Sequence, residues 1–320
     1  MSSIVPRIQL AQLPTPLHRL DRVSGDLGAD IYIKRDDLTG LALGGNKARK
    51  LEYLLADALA QGAEVVVTCG GIHSNFIRQL GAACAQLGLQ SAAAVMELPF
   101  ETSPVSGLRL RRDRGNPMLS ELFGVDLRIY QDGEWEELYG LADQLAVEYE
   151  ELGKKVYRIP VGGSSPLGAY AFYRAAEEVR EERFDWIVFA SSSGSTQTGL
   201  AYAFQGTSTH VLGIASDPEP EIAQDFAELG YGLANLIGET RLLQPKQFNI
   251  DFDFVGEGYG VSSPEGDEAI KYLAATEGIL VDPIYTGKAF AGLLKLVPSR
   301  ILCGRILFWH TGGIPSLFAR

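Results

Sequence analysis

The stretch Ala42-Leu43-Gly44-Gly45-Asn46-Lys47-Ala48-Arg49-Lys50-Leu51-Glu52 decides how this chain is read. Two adjacent glycines permit a close approach of bare backbone. Asn46 is an N-cap residue type, whose amide oxygen can accept a backbone N–H of a first helical turn. Leu51, Leu54, Leu55, Ala58 and Leu59 then recur at i, i+3, i+4 spacing, which predicts a helix over 47–60. Lys47 opens that helix on a glycine hinge, at the positive end of the helix dipole, where an ammonium is disfavoured. A lysine with a depressed pKa suits a Schiff base with a carbonyl compound. Taken alone, Lys47 reads sooner as one more solvated lysine beside Arg49 and Lys50. The loops downstream decide against that.

Outward from this stretch the chain alternates. Strands are predicted at 31–34, 64–68, 90–96, 126–130, 156–159, 186–190, 211–215, near 252–255 and at 305–309. Helices are predicted at 75–87, 104–122, 134–151, 167–182, 196–204, 264–276 and 286–297. Alternation of this length means an α/β fold with mainly parallel sheets. The strands are short apolar runs, so helices should cover both sheet faces. The first thirty residues read as an irregular arm, with Pro14-Thr15-Pro16 enforcing extended structure. Segment 216–250, rich in Glu, Gln and Asn, is the least readable part. The best boundary is the glycine-serine stretch at 162–165, with a second crossing near Lys47. Two domains are therefore expected: residues 1–46 plus 162–320 form a larger one, and 47–161 a smaller inserted one. A cleft between them is the default ligand site.

Composition narrows the partners. The 320 residues carry 40 acidic and 28 basic side chains, a formal net charge of −12, which argues against nucleic acid or anionic membrane. There is no long apolar run, and the first residues, Met1-Ser2-Ser3-Ile4-Val5-Pro6, lack the basic-then-apolar pattern of a signal peptide. Cys69, Cys84 and Cys303 sit in apolar surroundings and read as buried free thiols of a cytoplasmic protein. The histidines (His18, His73, His210 and His310) are far apart, and no metal-ligand spacing occurs.

Several loops carry chemistry. Val65 to Asn75 reads as strand, glycine turn and helix start, placing Ser74 and Asn75 at a helix N-terminus that attracts anions such as a carboxylate. A plain N-cap explains Ser74 equally well. His73 reads either as a packed loop residue or as a catalytic one. The run Ser191-Ser192-Ser193-Gly194-Ser195-Thr196-Gln197-Thr198-Gly199 joins an apolar strand to a helix, and its hydroxyls, amides and dipole converge as a phosphate needs. It lacks the Gly-Lys-Ser/Thr of a nucleotide loop, so a single phosphomonoester fits better than a nucleotide. Tyr259 and Tyr285 each lie in a glycine-flanked loop, where a phenol can act as acid or base or anchor a carboxylate, and where core packing is the plain alternative. Thr311 follows the last strand, in His310-Thr311-Gly312-Gly313, with its hydroxyl toward the cleft.

Together these residues resemble the 1-aminocyclopropane-1-carboxylate deaminase and D-cysteine desulfhydrase family of fold-type II pyridoxal-phosphate enzymes, with a tryptophan synthase β-like fold. The resemblance runs through residues 32–52 (YIKRDDLTGLALGGNKARKLE), 70–79, 161–168, 194–200, 258–261, 282–287 and 310–319. It implies pyridoxal 5′-phosphate as cofactor, an amino-acid substrate and a homodimer. It implies Lys47 as the Schiff-base lysine, Asn75 near the cofactor's 3′-oxygen and Ser74 near the substrate carboxylate. Gly194, Ser195, Thr196, Thr198 and Gly199 are expected to hold the phosphate, and Tyr259 and Tyr285 to line the reaction face.

The deaminases look as if they follow the second tyrosine with glutamate and carry His-Leu-Gly-Gly near the end. This chain has Thr286 and Thr311 at those positions, as the desulfhydrases do, and a hydroxyl beside the pyridine nitrogen leaves it unprotonated. That cofactor is a weaker electron sink, adequate for α-proton removal and loss of a good β leaving group, less suited to opening a cyclopropane. Against this, Gly194-Ser195-Thr196-Gln197 looks more like the deaminase loop. The family usually reads Gln-Ser-Asn-His where this chain has His73-Ser74-Asn75-Phe76, which keeps the substrate open among β-substituted alanines, L-cysteate included. The expected activity is β-elimination on D-cysteine or a related β-substituted alanine, giving pyruvate, ammonia and sulfide. Cyclopropane deamination and a catalytically silent binder of a phosphorylated metabolite are the alternatives.

Overall fold

The structure, a computed structural model, describes residues 5–101, 103–107 and 109–320. In chain order the elements are β1 (Leu17–Arg19), α1 (Asp21–Leu27), β2 (Asp30–Arg35), α2 (Lys47–Ala60), β3 (Val65–Gly71), α3 (Asn75–Leu87) and β4 (Gln90–Met96). Then come α4 (Asn116–Leu122), β5 (Asp126–Ile129), α5 (Trp135–Glu151), β6 (Val156–Arg158), α6 (Pro166–Ala175) and β7 (Trp186–Ser191). The chain closes with α7 (Ser195–Phe204), β8 (His210–Ala215), α8 (Ile222–Ile237), β9 (Asn249–Asp251), α9 (Pro264–Glu277), α10 (Thr286–Leu296) and β10 (Arg305–His310).

The strands form two sheets. One has the order β1-β2-β10-β7-β8-β9 and is parallel except for the β1–β2 pair. The other, β5-β4-β3-β6, is wholly parallel. The central strands are apolar on both faces, as in the fully buried run of β3. The mainly parallel α/β expectation holds, and its reason is visible: helices cover both faces of each sheet, so alternation of polar and apolar residues is lost.

Several local expectations are corrected. The first thirty residues are not an irregular arm: β1 pairs with β2, and α1 starts where Glu277 Oε1 accepts the Arg22 and Val23 amides. That cap comes from the far end of the chain, so local reading misses it. The helix predicted over 104–122 is only α4. Gly115, at φ 64° and ψ −133°, and Pro117 in the first turn start it late, and Leu108 lies outside the described residues, as do residues 1–4. The helix predicted over 167–182 gives way after Ala175 to two 3₁₀ turns. The strand near 252–255 is instead Asn249–Asp251, ended by an Asx turn in which Asp251 Oδ1 accepts the Asp253 amide. Segment 216–250 holds α8, whose Phe226, Leu233 and Ala234 are buried. Cys69 and Cys84 are buried, but Cys303 is exposed.

One buried ion cluster ties α2 to the larger sheet. Arg49 donates to Asp36 Oδ2 at 2.8 Å and to Glu178 Oε1 at 2.6 Å, and Lys34 pairs with Glu178 at 2.6 Å. Asp36 is wholly inaccessible, so losing its cation strands a buried charge. Arg49→Met is therefore expected to destabilise the protein by about 3–5 kcal/mol, read as a lowered urea midpoint.

Candidate active site

The carboxyl ends of β3 in the smaller sheet and of β7 and β10 in the larger one meet, and their loops with the start of α2 line a cleft. This is where ligands bind in parallel α/β proteins. Lys47, Ser74, Asn75, Gly194, Thr196, Tyr259, Tyr285 and Thr311 line it. Ser195, Thr198, Gly199 and Thr286 stand behind the wall. The Thr198 hydroxyl bonds to Phe226 O at 3.3 Å, Gly199 packs against Ala169 O, and the Thr286 hydroxyl bonds to Asp282 and Gly312 O. Phe76 also faces the cleft. His73 does not line it: its ring is buried, and burial pushes its pKa down.

Lys47 sits where the glycine hinge puts it. Gly44 has φ 73° and ψ 175°, and a Cβ there would lie 1.8 Å from Asp37 O. Asn46 does not cap α2 with its side chain, contrary to expectation. Its backbone is already helical, its amide N–H donates to Thr311 O at 2.9 Å, and Nδ2 donates to Thr196 Oγ1 at 3.2 Å. Asn46 thus clamps the start of α2 to the ends of β10 and α7.

The Lys47 ammonium is pushed down to about 8 by burial. Lys50, one turn along and missed in the sequence reading, lines the same cleft and donates to Gly162 O at 3.2 Å. Its pKa is pushed far down by burial and by the Lys47 charge. Two amines in one desolvated pocket cannot both stay protonated, so the pair holds a free amine near neutral pH.

The phosphate-type loop faces Lys47 across Gly162. A Cβ on Gly162 would lie 2.5 Å from Ser193 Oγ and 3.7 Å from Lys47 Nζ. Among the described residues, the Thr196 and Gln197 amides in the first turn of α7 have no protein acceptor. Ser191 Oγ, Ser195 Oγ and Gln197 Oε1 are buried without partners. Gly194, at φ 99°, allows the turn, since a Cβ there would strike the Phe226 ring at 2.4 Å. Free amides, spare hydroxyls and the Lys50 amine as a donor beside Lys47 fit a carbonyl compound bearing one phosphate.

The opposite wall is aromatic. Tyr259 Oη and Tyr285 Oη are 2.6 Å apart, and Trp135, from the other sheet's α5, meets Tyr259 edge-on at 5.2 Å. Trp135 carries no local sequence signal, because only the packing of α5 brings it here. Burial pushes Tyr259 up to about 12 and Tyr285 well above its ordinary value, so both remain neutral phenols. Lys288 Nζ donates to Val255 O at 2.6 Å and Gly258 O at 2.9 Å, pinning the Tyr259 loop. Ser74 Oγ caps α3 by accepting the Phe76 amide at 3.2 Å. A hydroxyl used as acceptor keeps its own proton to donate to an anion, so the capping and carboxylate readings are compatible. No carboxylate lines the cleft among the described residues, nor do three or more metal-ligating side chains cluster anywhere among them.

A half-buried lysine between a helix start with free amides and a tyrosine pair, at the carboxyl ends of sheet strands, is the arrangement of enzymes built around a phosphorylated aldehyde. The family described as "Pyridoxal-phosphate dependent enzyme" matches residues 8–312, and the chain belongs to it. It is 41% identical to a Pyrococcus furiosus protein named "Putative 1-aminocyclopropane-1-carboxylate deaminase", over 98% of this chain and 93% of that one. It is also 41% identical to a Yersinia pestis "D-cysteine desulfhydrase", over 98% and 96%. A crystal structure described as an ACC deaminase homologue superposes with a TM-score of 0.88 at 37% identity, covering 99% of this chain and 94% of that one. O-ureido-L-serine synthase shares the fold at 19% identity, with a TM-score of 0.65 over 95% and 90% of the two chains. The protein is thus a pyridoxal-phosphate-dependent enzyme.

The depressed Lys47 pKa has a consequence for the cofactor-free protein. Below about pH 8 the folded state bears a poorly solvated ammonium that the unfolded chain would solvate freely. That cost is present at pH 7 and fades as pH rises from about 8 toward the ordinary lysine value of 10.5. Lys47→Met should stabilise the apoprotein at pH 7 by on the order of 1 kcal/mol, discounted for contact with cleft water, and the gain should vanish near pH 10. Thermal melts across that range check it.

Proposed function

We propose that the protein is a lyase that carries out β-elimination on D-cysteine or a closely related β-substituted alanine, giving pyruvate, ammonia and sulfide. The observation that carries this is the absence of any carboxylate from the cleft wall among the described residues, with Thr311 facing the cleft. A hydroxyl there can accept or donate a hydrogen bond but cannot hold a pyridinium proton by charge. Asp282, the nearest acid in sequence, is spent on the Tyr285 and Thr286 amides. When bound, pyridoxal phosphate supplies an electron sink for the substrate's α-carbon. With a neutral ring partner that sink suffices for losing hydrosulfide better than for breaking a carbon–carbon bond of a cyclopropane.

The chain's own groups divide the remaining work. The phosphate is held by the α7 amides, the Thr196 hydroxyl and Lys50; Ser195, Thr198 and Gly199 shape that turn from behind. Ser74 donates to the substrate carboxylate, and Asn75 to the cofactor's 3′-oxygen. Lys47, whose pKa burial lowers to about 8, takes the α-proton at Nζ once free. The tyrosines, held protonated by burial, donate: Tyr285 and Tyr259 form a hydrogen-bonded pair able to pass one proton toward the departing sulfur. Thr286 acts only through Asp282 and Gly312. We further propose that residues 1–46 with 162–320 form the cofactor-binding domain, that 47–161 form a smaller one, and that the protein works as a cytoplasmic homodimer. No helix among the described residues is long and apolar enough to cross a membrane.

The test is a side-by-side measurement of kcat/KM for D-cysteine, L-cysteine, β-chloro-D-alanine, L-cysteate and 1-aminocyclopropane-1-carboxylate. D-cysteine or β-chloro-D-alanine should lead, with pyruvate as product. A lead by the cyclopropane substrate would replace this reading with the deaminase one, which the Gly194–Gln197 loop favours; turnover of none would favour a silent binder. Lys47→Ala should lower kcat roughly 10³-fold or more.

A further inference from the structure

Arg78 lies in α3, fully inaccessible to solvent and without an ion pair among the described residues. Burying a guanidinium without a carboxylate is costly, and burial indeed pushes its pKa down to about 9, still a cation at neutral pH. The side chain is spent on three neutral acceptors. Nη2 donates to Gly44 O at 2.7 Å, and Nη1 donates to Asn116 Oδ1 at 2.8 Å and to Asn75 Oδ1 at 3.2 Å. Asn116 Nδ2 in turn donates to His73 O at 2.6 Å, Asn75 Oδ1 at 2.9 Å and Ser316 Oγ at 3.2 Å.

The chemistry of these partners leaves the two amides one orientation. Arginine only donates and a backbone carbonyl only accepts, so Asn116 must present its oxygen to Arg78 and its nitrogen to His73 O. Asn75 then meets two donors and must present its oxygen to them. Its Nδ2 has no protein acceptor among the described residues, and Asn75 lines the cleft. The same guanidinium grips Gly44, the hinge that carries Lys47.

We propose that Arg78 is a positioning residue of the active site: through Asn116 and Gly44 it sets the Asn75 amide with its nitrogen toward the bound cofactor's 3′-oxygen and holds the Lys47 hinge, while placing one buried positive charge behind both. The inference rests on the cofactor-site reading above. It explains why a costly buried cation sits here: a hydrogen-bond donor and a fixed charge on this side both favour a negative 3′-oxygen and disfavour a proton on the neighbouring Lys47-linked nitrogen. The other titratable groups close to this wall are Lys47, Lys50 and His73, with Asp282 the acid that acts on Arg78.

The test uses holoenzyme and reads the pH midpoint of the visible absorbance band of the lysine-bound cofactor, beside thermal melts of the apoproteins. Arg78→Met removes the charge and one of the two donors to Asn75; the midpoint should rise by about one pH unit. Asn116→Asp keeps an acceptor for Arg78 but neutralises its charge and replaces the Nδ2 donor to Asn75 Oδ1 by a carboxylate oxygen. It should raise the midpoint in the same direction, and it carries the test if Arg78→Met does not fold. Arg78→Lys keeps the charge but cannot reach both Gly44 and Asn75, and should give a smaller rise. Melts that fall while all midpoints stay at the wild-type value would make Arg78 merely structural and overturn the proposal. A wild-type band that persists in Lys47→Ala would instead overturn the reading of the cleft on which it rests.

Discussion

Everything at this site depends on the removal of the Lys47 amine from water. A lysine on an exposed helix start would stay protonated and could not attack a carbonyl. Here the same residue is enclosed between the two sheets and faced by a second amine: lost solvation penalises its charged form, and its charge in turn penalises that of Lys50. The depressed pKa is therefore a product of packing. It requires the Gly44 hinge to pass against Asp37 O, Asn46 to clamp the helix start to β10 and α7, and Gly162 to let the Ser193 loop approach.

The surrounding charges follow from the same constraint. Desolvation of a cleft would cost too much if charges lay loose in its walls, so those that exist are tied off. Arg49 is neutralised by Asp36 and Glu178. Lys288 is spread over two carbonyls, and Arg78 over carbonyl and amide oxygens. Asp282 is occupied with the start of α10. What faces the cleft is then a small set of neutral donors, the two lysines and a tyrosine pair. A carboxylate-free wall of this kind favours chemistry that needs a modest electron sink and a ready proton donor.

The sequence was legible wherever chemistry is local. Apolar periodicity marked α2 and α3 to the residue, because their own side chains form the buried face. The glycine turns after β3, β7 and β10 were readable because bare backbone leaves little other use for such runs. The reading failed where structure is supplied from a distance. The cap on α1 comes from Glu277, and α8 lies in a segment whose Glu, Gln and Asn residues interrupt an apolar face that packs against α6 and α7. Trp135 reaches the cleft only because α5 is carried there by the smaller sheet.

By itself, the sequence determined the α/β class, the lysine, the loops that surround it and the family to which they belong, since residue type and order suffice for each. Tertiary structure decided which members of those loops touch the cleft. Thr311 faces it while Thr286, an equal candidate by position, turns its hydroxyl to Asp282 and Gly312. Tertiary structure also decided that Ser74 caps α3 at the cleft wall, that His73 lies off the wall, and that Lys50 shares the pocket with Lys47. The reason is physical: a side chain's direction and solvation are set by neighbours distant in the chain, and pKa and hydrogen-bond role follow from them.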